Sequence, residues 1–459
     1  MDTNLEKKQK STLLVVIITA FITTFTGSAL NLSVPSIGEE FKVSASLVGW
    51  IVTAYMLTSA AFSVPFGRVS DIASRKKILV VGIFIFSSCS LFAAFSWNIQ
   101  SLLAIRALQG FGAAMIFSTN IAVLISAFPG ADRGKMLGYS TAATYIGLSA
   151  GPVIGGVFNH YLGWRSIFWV TFAVGATVFF IAWKKLPKDE RQLEKTNIDL
   201  MGNILYILMI PSVLYGLSAF STSLLAKIIL PIGLVLVLWF GRHELKVNNP
   251  IVELRLFANN LSYTFSNIAA LLNYGATFAI GYLLSIYLQV VMGYSSQMAG
   301  IILIAQPVIM AALSPFAGKL SDRFSPFKLA SFGMASCAIS LLVLSFISEA
   351  YPLWIIITAL IIAGIGFAFF SSPNTNAVMA CVDKSEYGVA SSLLATMRNI
   401  GHTSSMAIVT VVVGIYMGNQ ALAEAEPELL IRTMHASFLI FTGICAVGTI
   451  FSLKRKERV

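Results

Sequence analysis

Four ionisable side chains stand within or beside apolar segments of this chain. Arg106, Arg398 and His402 lie inside apolar runs, and Asp71 lies at the end of another. A charge near the centre of a bilayer costs about 2.5–3.5 kcal/mol on insertion scales, so such a side chain must face protein or water. Since His titrates near neutrality and Arg keeps its charge, these residues suit proton transfer and charge coupling.

Two roles stay open for each of the buried cations. Gln109 follows Arg106 by three residues and shares its helix face. Arg106 is therefore either a coupling residue that tunes a proton site or a structural residue bonded to carbonyls. His402 falls on a polar helix face with Ser391, Arg398 and Ser405. It is a candidate proton carrier, with a packed neutral His as the alternative.

Aromatic and polar side chains recur in the same apolar runs. Aromatic rings with a few polar tips suit the binding of flat amphipathic compounds, and packing against lipid or core is the alternative for each. The candidates for a substrate cavity are Thr26, Asn31, Tyr55, Tyr145, Tyr274, Phe278, Tyr282 and Gln289.

Long apolar segments must position these side chains. The chain has 459 residues, of which 57% are hydrophobic and 11% are charged, and its mean hydropathy is +0.81. Segments of about 20 apolar residues are candidate membrane-spanning helices. We predict an all-α membrane protein whose fourteen spans are roughly 12–34, 46–66, 78–96, 99–127, 136–158, 166–183, 200–220, 224–240, 261–291, 297–316, 329–347, 353–372, 389–416 and 434–453.

The net charge of +11 reflects membrane topology. With both termini placed in the cytoplasm, 25 of the 31 Lys and Arg residues fall on cytoplasmic segments, as the positive-inside rule requires. Besides the two intramembrane Arg residues, the exceptions are Lys42, Arg165, Lys227 and Arg432. An odd number of spans would destroy this asymmetry, and nucleic-acid binding is not needed to explain the charge.

The chain also repeats itself. At a shift of 254 residues, Gly110, Gly112 and Asn120 match Gly364, Gly366 and Asn374. We therefore predict two pseudo-symmetric six-helix bundles, at 1–190 and 259–459, with two additional helices at 191–258. Two parallel halves around a central cavity are an architecture of transporters.

A basic and glycine-containing segment follows the second predicted span. It reads GRVSDIASRKK from Gly67 to Lys77. Asp71 could accept hydrogen bonds from a helix N-terminus and pair with a nearby Arg such as Arg133, forming a gate, and charges that only set topology are the alternative. The proposed gating set is Gly67, Asp71, Arg75, Lys76 and Arg133, with Asp322 as its counterpart in the second half.

The fifth predicted span contains GLSAGPVIGG. Gly147, Gly151 and Gly155 are four residues apart, so they share a helix face that a neighbouring helix can approach closely. Pro152 removes an amide donor and predicts a bend. An ordinary tight helix crossing would explain the same pattern.

Together these motifs resemble the fourteen-helix drug:proton antiporter branch of the major facilitator superfamily. GLSAGPVIGG, including Gly156, is similar to the antiporter motif, and GRVSDIASRKK is similar to the cytoplasmic loop motif except at Ser74, where Gly is usual. Arg106, Gln109 and Gly110 match the motif with an intramembrane Arg. The resemblance implies the major facilitator fold and efflux by proton antiport and alternating access.

One departure from the resemblance concerns the proton carrier. The branch often has an Asp in the first span, and here Thr26 occupies that position. Coupling is then left to Glu39 or Glu40 at the outer mouth, to His402, or to Asp71. A cavity with Arg106 and Arg398 and without a buried acid favours neutral, zwitterionic or anionic substrates.

We expect a transporter of amphipathic small molecules in a bacterial plasma membrane that is coupled to protons and acts as a monomer. A dedicated exporter of one metabolite, anionic or zwitterionic, is the alternative. The chain has no phosphate-binding loop and no cluster of catalytic residues in its spans, which argues against ATP-driven transport and an enzyme. The four Cys residues lack metal-ligand spacing, so we expect no metal and no cofactor other than the coupling proton.

Overall fold

The computed structural model describes residues 2–43, 45–128, 132–187, 198–220, 223–349, 351–417 and 427–455. These residues are nearly all helical and form no β-strand. The first nine helices are α1 (Asp2–Ala29), α2 (Val34–Phe41), α3 (Ala45–Ile72), α4 (Arg75–Ala94), α5 (Ile99–Ala127), α6 (Arg133–Leu162), α7 (Arg165–Lys185), α8 (Leu200–Ser218) and α9 (Leu224–Glu244). The others are α10 (Leu254–Asn259), α11 (Leu261–Thr277), α12 (Ile280–Ile286), α13 (Ser296–Leu303), α14 (Ala305–Ser321), α15 (Pro326–Leu344), α16 (Leu353–Ala380), α17 (Tyr387–Met417) and α18 (Pro427–Leu453).

The described helices agree with the predicted membrane spans. Thirteen are long and apolar enough to cross a membrane, with α11–α12 and α13–α14 each forming one span. The fourteenth span is α6, which bends by 40° between Gly151 and Val153, where residue 152 is the proline without an amide donor. An all-helical membrane fold is thus confirmed.

Polar side chains start several helices. Asn98 accepts a hydrogen bond from the Ser101 N–H at 2.7 Å and forms a capping box at the start of α5. Ser74 caps α4 by accepting from the Lys77 N–H at 3.1 Å. Because a side-chain oxygen at this position satisfies an amide that is otherwise unpaired, Ser74 has a local role where the resemblance predicts Gly.

The described chain forms two compact units. The first contains Met1–Pro211, Val235–Leu254 and Val382–Thr396, and the second contains Ser212–Leu234, Arg255–Cys381 and Met397–Val459. In the first unit α4 packs on α5 and α7, and α3 packs on α5; in the second, α15 packs on α16 and α18, and α14 packs on α16. The same packing scheme is therefore built twice. The division at 1–190, 191–258 and 259–459 stays a prediction.

Glycine contacts repeat in the same way. A Cβ added to Gly110 would lie 2.5 Å from the Tyr55 carbonyl oxygen, and one added to Gly364 would lie 2.7 Å from that of Gln306. Likewise, a Cβ added to Gly147 would lie 2.5 Å from the Phe21 carbonyl oxygen, and one added to Gly401 would lie 2.8 Å from that of Leu271. Helices cross backbone to backbone at equivalent places about 250 residues apart, which supports the internal repeat seen in the sequence.

Candidate functional site

The Asp71 carboxylate binds the beginning of another helix within the first unit. Its two oxygens accept hydrogen bonds from the Gly388 and Val389 N–H groups, each at 3.0 Å, in the first turn of α17. Arg75 donates to Oδ1 from Nε at 3.0 Å and from Nη2 at 2.6 Å. The side chain of Asp71 is 1% exposed. The expected carboxylate at a helix N-terminus is present, and Arg75 supplies a cationic partner.

Close backbone packing supports this contact. A Cβ on Gly67 would lie 2.7 Å from the Gly388 carbonyl oxygen, so a larger residue would push α3 and α17 apart. Arg75 and Arg133 both lie over the Tyr387 ring, at 5.4 and 5.6 Å.

Two members of the predicted gate remain, Lys76, which follows Arg75, and Asp322, which lies in the second copy of the repeat. Lys76 donates from Nζ to the Leu186 carbonyl at 2.5 Å, which attaches the start of α4 to the end of α7. Asp322 is half-buried where α14 ends. Its role as the counterpart of Asp71 stays a prediction.

Arg106 lies at the centre of a polar network in the first unit and is 0% exposed. It donates from Nε to the Ile51 carbonyl at 3.1 Å and from Nη1 to Gln109 Oε1 at 2.5 Å. Gln109 in turn donates to Ser90 Oγ at 2.7 Å, and the guanidinium lies 4.4 Å from the centre of the Tyr55 ring. The network therefore joins α3, α4 and α5.

One nitrogen of Arg106 is not satisfied by this network. Nη2 is buried and has no hydrogen-bond partner among the described residues. The ion pairs found in the described residues do not include Arg106 either. A buried donor without a partner costs about 1–3 kcal/mol or more for a charged group, so a purely structural role does not explain this residue fully.

The glycines of the fifth span face α1. Added Cβ atoms would lie 2.3 Å from Thr24 Oγ1 at Gly147, 1.9 Å from Ser28 Oγ at Gly151, and 2.7 Å from Ala29 Cβ at Gly155. Gly156 is half-buried, and the side chain of Pro152 lies outside the described residues. The predicted tight helix crossing is present, and α1 is the helix that approaches.

We expect Gly155→Ala to weaken the α1–α6 crossing. The new Cβ would also lie 2.8 Å from the Ala29 carbonyl oxygen, which belongs to a helix backbone and cannot rotate away. Overpacking of this kind costs about 1–3 kcal/mol. A lower thermal unfolding midpoint of the purified protein would show it. Gly281→Ala is the control, because an added Cβ there meets nothing within 4 Å; equal shifts for both variants would contradict the prediction.

A group of aromatic side chains surrounds His402 in the second unit. The imidazole stacks on the Phe278 ring with centroids 4.1 Å apart, and Tyr274 meets it edge-on at 5.4 Å. The Tyr274 hydroxyl hydrogen bonds with Ser371 Oγ at 3.2 Å. Phe278 remains 42% exposed, so one face of the cluster is open to a ligand or to lipid.

A helix break adjoins this aromatic cluster. Phe278 and Ala279 separate α11 from α12, and the Ala279 N–H donates to Ser405 Oγ of α17 at 3.2 Å. A π-helical turn follows at Tyr287–Val291. It contains Gln289, which donates to the Ser285 carbonyl at 3.0 Å. Discontinuous helices and π-turns are frequent at functional sites of membrane transporters.

The other cavity candidates have different surroundings. Thr26 is 0% exposed, and its hydroxyl bonds to the Ile22 carbonyl and to Thr171 of α7. Tyr145 is buried, and Tyr55 is buried beneath Arg106. Tyr282 is 41% exposed, and Arg398 is half-buried one turn before His402. The side chain of Asn31 lies outside the described residues.

Glu39 and Glu40 are both exposed, and Glu40 is held in an ion pair. Arg165 lies 2.6 Å from Glu40 Oε1, and the Trp164 indole N–H donates to Oε2 at 2.7 Å. Burial raises the pKa of Glu40. The hydrogen bonds from Arg165 and Trp164 and the Arg165 charge lower it, and together they outweigh the effect of burial, so the net shift of the pKa is downward. Arg165 also donates to the Ser96 carbonyl at 3.0 Å. This group ties α2, the loop before α5 and α7 together.

Glu40→Gln is expected to lower the unfolding midpoint slightly at neutral pH. Because the folded pKa lies below the ordinary value of 4.5, the ionised carboxylate stabilises the fold above that pH, and this contribution disappears as the pH falls through the folded pKa. Unfolding midpoints of both proteins between about pH 3 and 8 measure the difference. Glu39→Gln is the control. A shifted pH profile of transport in Glu40→Gln would instead indicate that Glu40 carries the proton.

Several polar residues of these networks were not predicted as site residues. Asn120 donates to the Val16 carbonyl at 3.2 Å, and the Thr19 hydroxyl donates to Asn120 Oδ1 at 3.0 Å. These two hydrogen bonds join α1 to α5. Arg455 is 7% exposed and donates to Asn374 Oδ1 at 2.6 Å in the second unit. Burial lowers the pKa of Arg455 to about 9. The match of Asn120 with Asn374 in the internal repeat is a sequence signal that could have identified both residues. Arg455 has no such signal, because it lies among several basic residues near the C-terminus.

The repeated helical packing and the charges buried among apolar helices define a multi-pass membrane transporter. The chain belongs to the Major Facilitator Superfamily, whose family model matches residues 16–406 and 266–459. It is 30% identical over 455 residues to the riboflavin transporter RibZ of Clostridioides difficile (strain 630), covering 98% of this chain and 99% of RibZ.

Two further proteins illustrate the range of similarity. Multidrug resistance protein Stp of Mycobacterium tuberculosis (strain H37Rv) is 27% identical over 433 residues, covering 93% of this chain and 79% of Stp. The crystal structure of the human organic anion transporter MFSD10 (TETRAN) has a TM-score of 0.69 at 12% identity and covers 98% of this chain and 99% of that one. The structural similarity shows the fold.

Proposed function

We propose that this protein exports flat amphipathic compounds from the bacterial cytoplasm, in exchange for protons, by alternating access. The observation that carries the proposal is the cluster of Tyr274, Phe278 and His402 beside the break between α11 and α12. Aromatic faces bind planar conjugated molecules by stacking, and a half-buried His adds a hydrogen-bonding or titrating group. Antibiotics and other toxic compounds with fused rings fit this chemistry.

Alternating access is supported by the contact of Asp71 with α17. Two backbone hydrogen bonds and a buried Arg75 hold one helix start, and such a charge-assisted contact can form in one conformation and break in another. With basic residues concentrated on alternate loops, we place both termini in the cytoplasm and the protein in the plasma membrane.

His402, Asp71 and Glu39 are the proposed sources of the coupling proton. Glu40 is a weaker candidate because its ion pair with Arg165 favours the ionised form. His402 would change charge directly beside the aromatic rings, so protonation and substrate binding could compete there. We propose that the protein works in this way as a monomer.

A dedicated metabolite transporter is the second candidate function. Similarity to RibZ along the whole chain favours it, and riboflavin is itself flat, tricyclic and amphipathic. Thr26 stands where a carboxylate would select cations, and it bonds to Thr171, so nothing at this position repels a neutral or anionic substrate.

Transport into proteoliposomes tests both functions. A fluorescent flavin and a planar cationic dye are supplied outside vesicles whose interior is acidic, and a sodium gradient replaces the pH gradient in a second arm. Accumulation driven by the pH gradient supports antiport, and uptake that ignores it contradicts the proposal. Competition by many unrelated compounds indicates a multidrug transporter, whereas competition by flavins alone indicates a dedicated one.

The aromatic cluster is tested in the same vesicles. Phe278→Ala removes the ring that stacks on His402 and should weaken substrate affinity by up to about tenfold, since one stacked ring contributes about 0.5–1.5 kcal/mol. Phe346→Ala is the matched control, because this ring is 67% exposed elsewhere in the second unit. Equal affinities in the two variants would remove the cluster from the binding site.

A further inference from the structure

Three ionisable residues outside the proposed transport site meet where α8 begins and α9 ends. Asp199 immediately precedes α8, whereas His243 and Glu244 are the last two residues of α9. All three belong to the first unit. Their side chains offer one imidazole nitrogen and two carboxylate oxygens that lie within 4.8 Å of one another.

The imidazole is already directed at one carboxylate. His243 Nε2 lies 2.8 Å from Asp199 Oδ2 and 3.0 Å from Oδ1. Asp199 is fixed in turn, because Oδ1 accepts from the Gly202 N–H at 3.0 Å and its carbonyl accepts from Asn203 Nδ2 at 2.6 Å. The Asp199 side chain is 7% exposed and that of His243 is 21% exposed. Two of the three groups are therefore held in place, with the Asp199 side chain buried and that of His243 largely buried.

The second carboxylate has an unsatisfied oxygen. Glu244 is 3% exposed, and its Oε2 accepts from the Val252 N–H at 2.8 Å. Its Oε1 is buried and has no hydrogen-bond partner among the described residues. A Cβ built on Gly202 would lie 2.5 Å from Glu244 Oε1 and 2.4 Å from Asp199 Oδ2, so both oxygens converge over the same glycine. The free oxygen is thus directed at the other ligand atoms.

We propose that Asp199, His243 and Glu244 bind a divalent transition-metal ion of the Zn²⁺ type. Two buried carboxylates beside a single imidazole leave negative charge that a dication would offset. One nitrogen and two oxygen ligands are a set that Zn²⁺ accepts, with a further position left for water. Mg²⁺ and Ca²⁺ prefer more oxygen ligands and no imidazole, so they should bind much less tightly.

Binding there would join the start of α8 to the end of α9. The Gly202 N–H donates to the Asp199 carboxylate and the Val252 N–H donates to that of Glu244, and such hydrogen bonds orient the carboxylates that bind a metal ion. The site lies in the pair of helices inserted between the two repeats and does not depend on the proposed transport function. Its ligands are 44 and 45 residues apart, which is why their spacing gives no recognisable sequence motif.

Metal binding to the purified full-length protein tests the proposal. We expect wild-type protein to bind one Zn²⁺ per chain by calorimetry and to unfold at a higher temperature with Zn²⁺ present. His243→Ala and Glu244→Gln should each weaken binding at least about tenfold and abolish the thermal shift. Co²⁺ should give visible ligand-field absorption in wild-type protein and not in these variants. Asp199 is left intact, because it also caps α8.

Controls separate this site from surface binding. His160→Ala and Glu428→Gln alter exposed residues and should leave Zn²⁺ affinity unchanged. If His243→Ala and Glu244→Gln bind Zn²⁺ as wild type does, the proposal fails. If wild-type protein binds no Zn²⁺, the proposal is equally wrong, and greater stability of metal-free Glu244→Gln would then indicate that the carboxylates share a proton. Transport is not measured, so neither result bears on the proposed efflux.

Discussion

Replacing Asp71 with Asn is expected to release the first turn of α17 and to lower transport about tenfold or more. The carboxylate accepts from two backbone N–H groups and from Arg75, and an amide can supply only one oxygen to the same donors. Arg75, whose side chain is 6% exposed, would be left as a buried cation without its anion. Breaking a buried pair in this way costs about 3–5 kcal/mol, enough to shift a conformational equilibrium.

Hydrogen exchange measures this effect directly. Backbone amides at 387–392 should exchange faster in Asp71→Asn than in wild type, because the N–H groups of Gly388 and Val389 lose their acceptors. Asp132→Asn is the matched control, since this exposed carboxylate precedes α6 and makes no side-chain cap hydrogen bond. Unchanged exchange at 387–392, or an equal transport defect in the control, would contradict the prediction.

Arg106→Met is expected to abolish transport without destabilising the protein. Arg106 is 0% exposed, its Nη2 has no hydrogen-bond partner in the part of the chain that the structure describes, and the ion pairs found there do not include it. Taking a charge out of water is costly, and replacing buried ionic groups by well-packed apolar residues of similar volume is often neutral or stabilising, by about 1–4 kcal/mol for a buried ion pair. A residue kept at such a cost is expected to serve function, here by coupling the proton site to the substrate.

Two measurements distinguish the roles that the sequence left open for Arg106. Thermal unfolding reports the structural contribution, and proton-driven uptake reports the functional one. Arg165→Met provides the contrast, because Arg165 is paired with Glu40 at 2.6 Å and is one-third exposed. That variant should lose a little stability and retain transport. If Arg106→Met unfolds at a markedly lower temperature than wild type, Arg106 is mainly structural.

The helical architecture was predictable because hydrophobic spans and charge asymmetry are local properties of the chain. Gly147, Gly151 and Gly155 predicted a close helix crossing from their spacing alone, and Pro152 predicted the bend that is observed. Which helix would approach could not be read from the motif, since α1 and α6 meet only through tertiary packing.

Partner assignments were harder to predict than positions. Asp71 was expected at a helix N-terminus, yet the identity of α17 depended on contacts more than 300 residues apart. Glu40 is a candidate proton carrier from its position at the outer mouth, and nothing in its local sequence indicates Arg165 and Trp164 as its partners. His402 could be placed on a polar face, but its stacking on Phe278 required the break between α11 and α12.

The repeated glycine crossings have a consequence for how the chain tolerates mutation. A Cβ added to Gly110 or to Gly364 would meet a backbone carbonyl oxygen, that of Tyr55 or that of Gln306, so the contact does not depend on which side chain the facing residue has. Both glycines should therefore reject larger residues, whereas the facing position can hold different side chains. A deep mutational scan of the whole chain should show paired minima of tolerance separated by 254 positions.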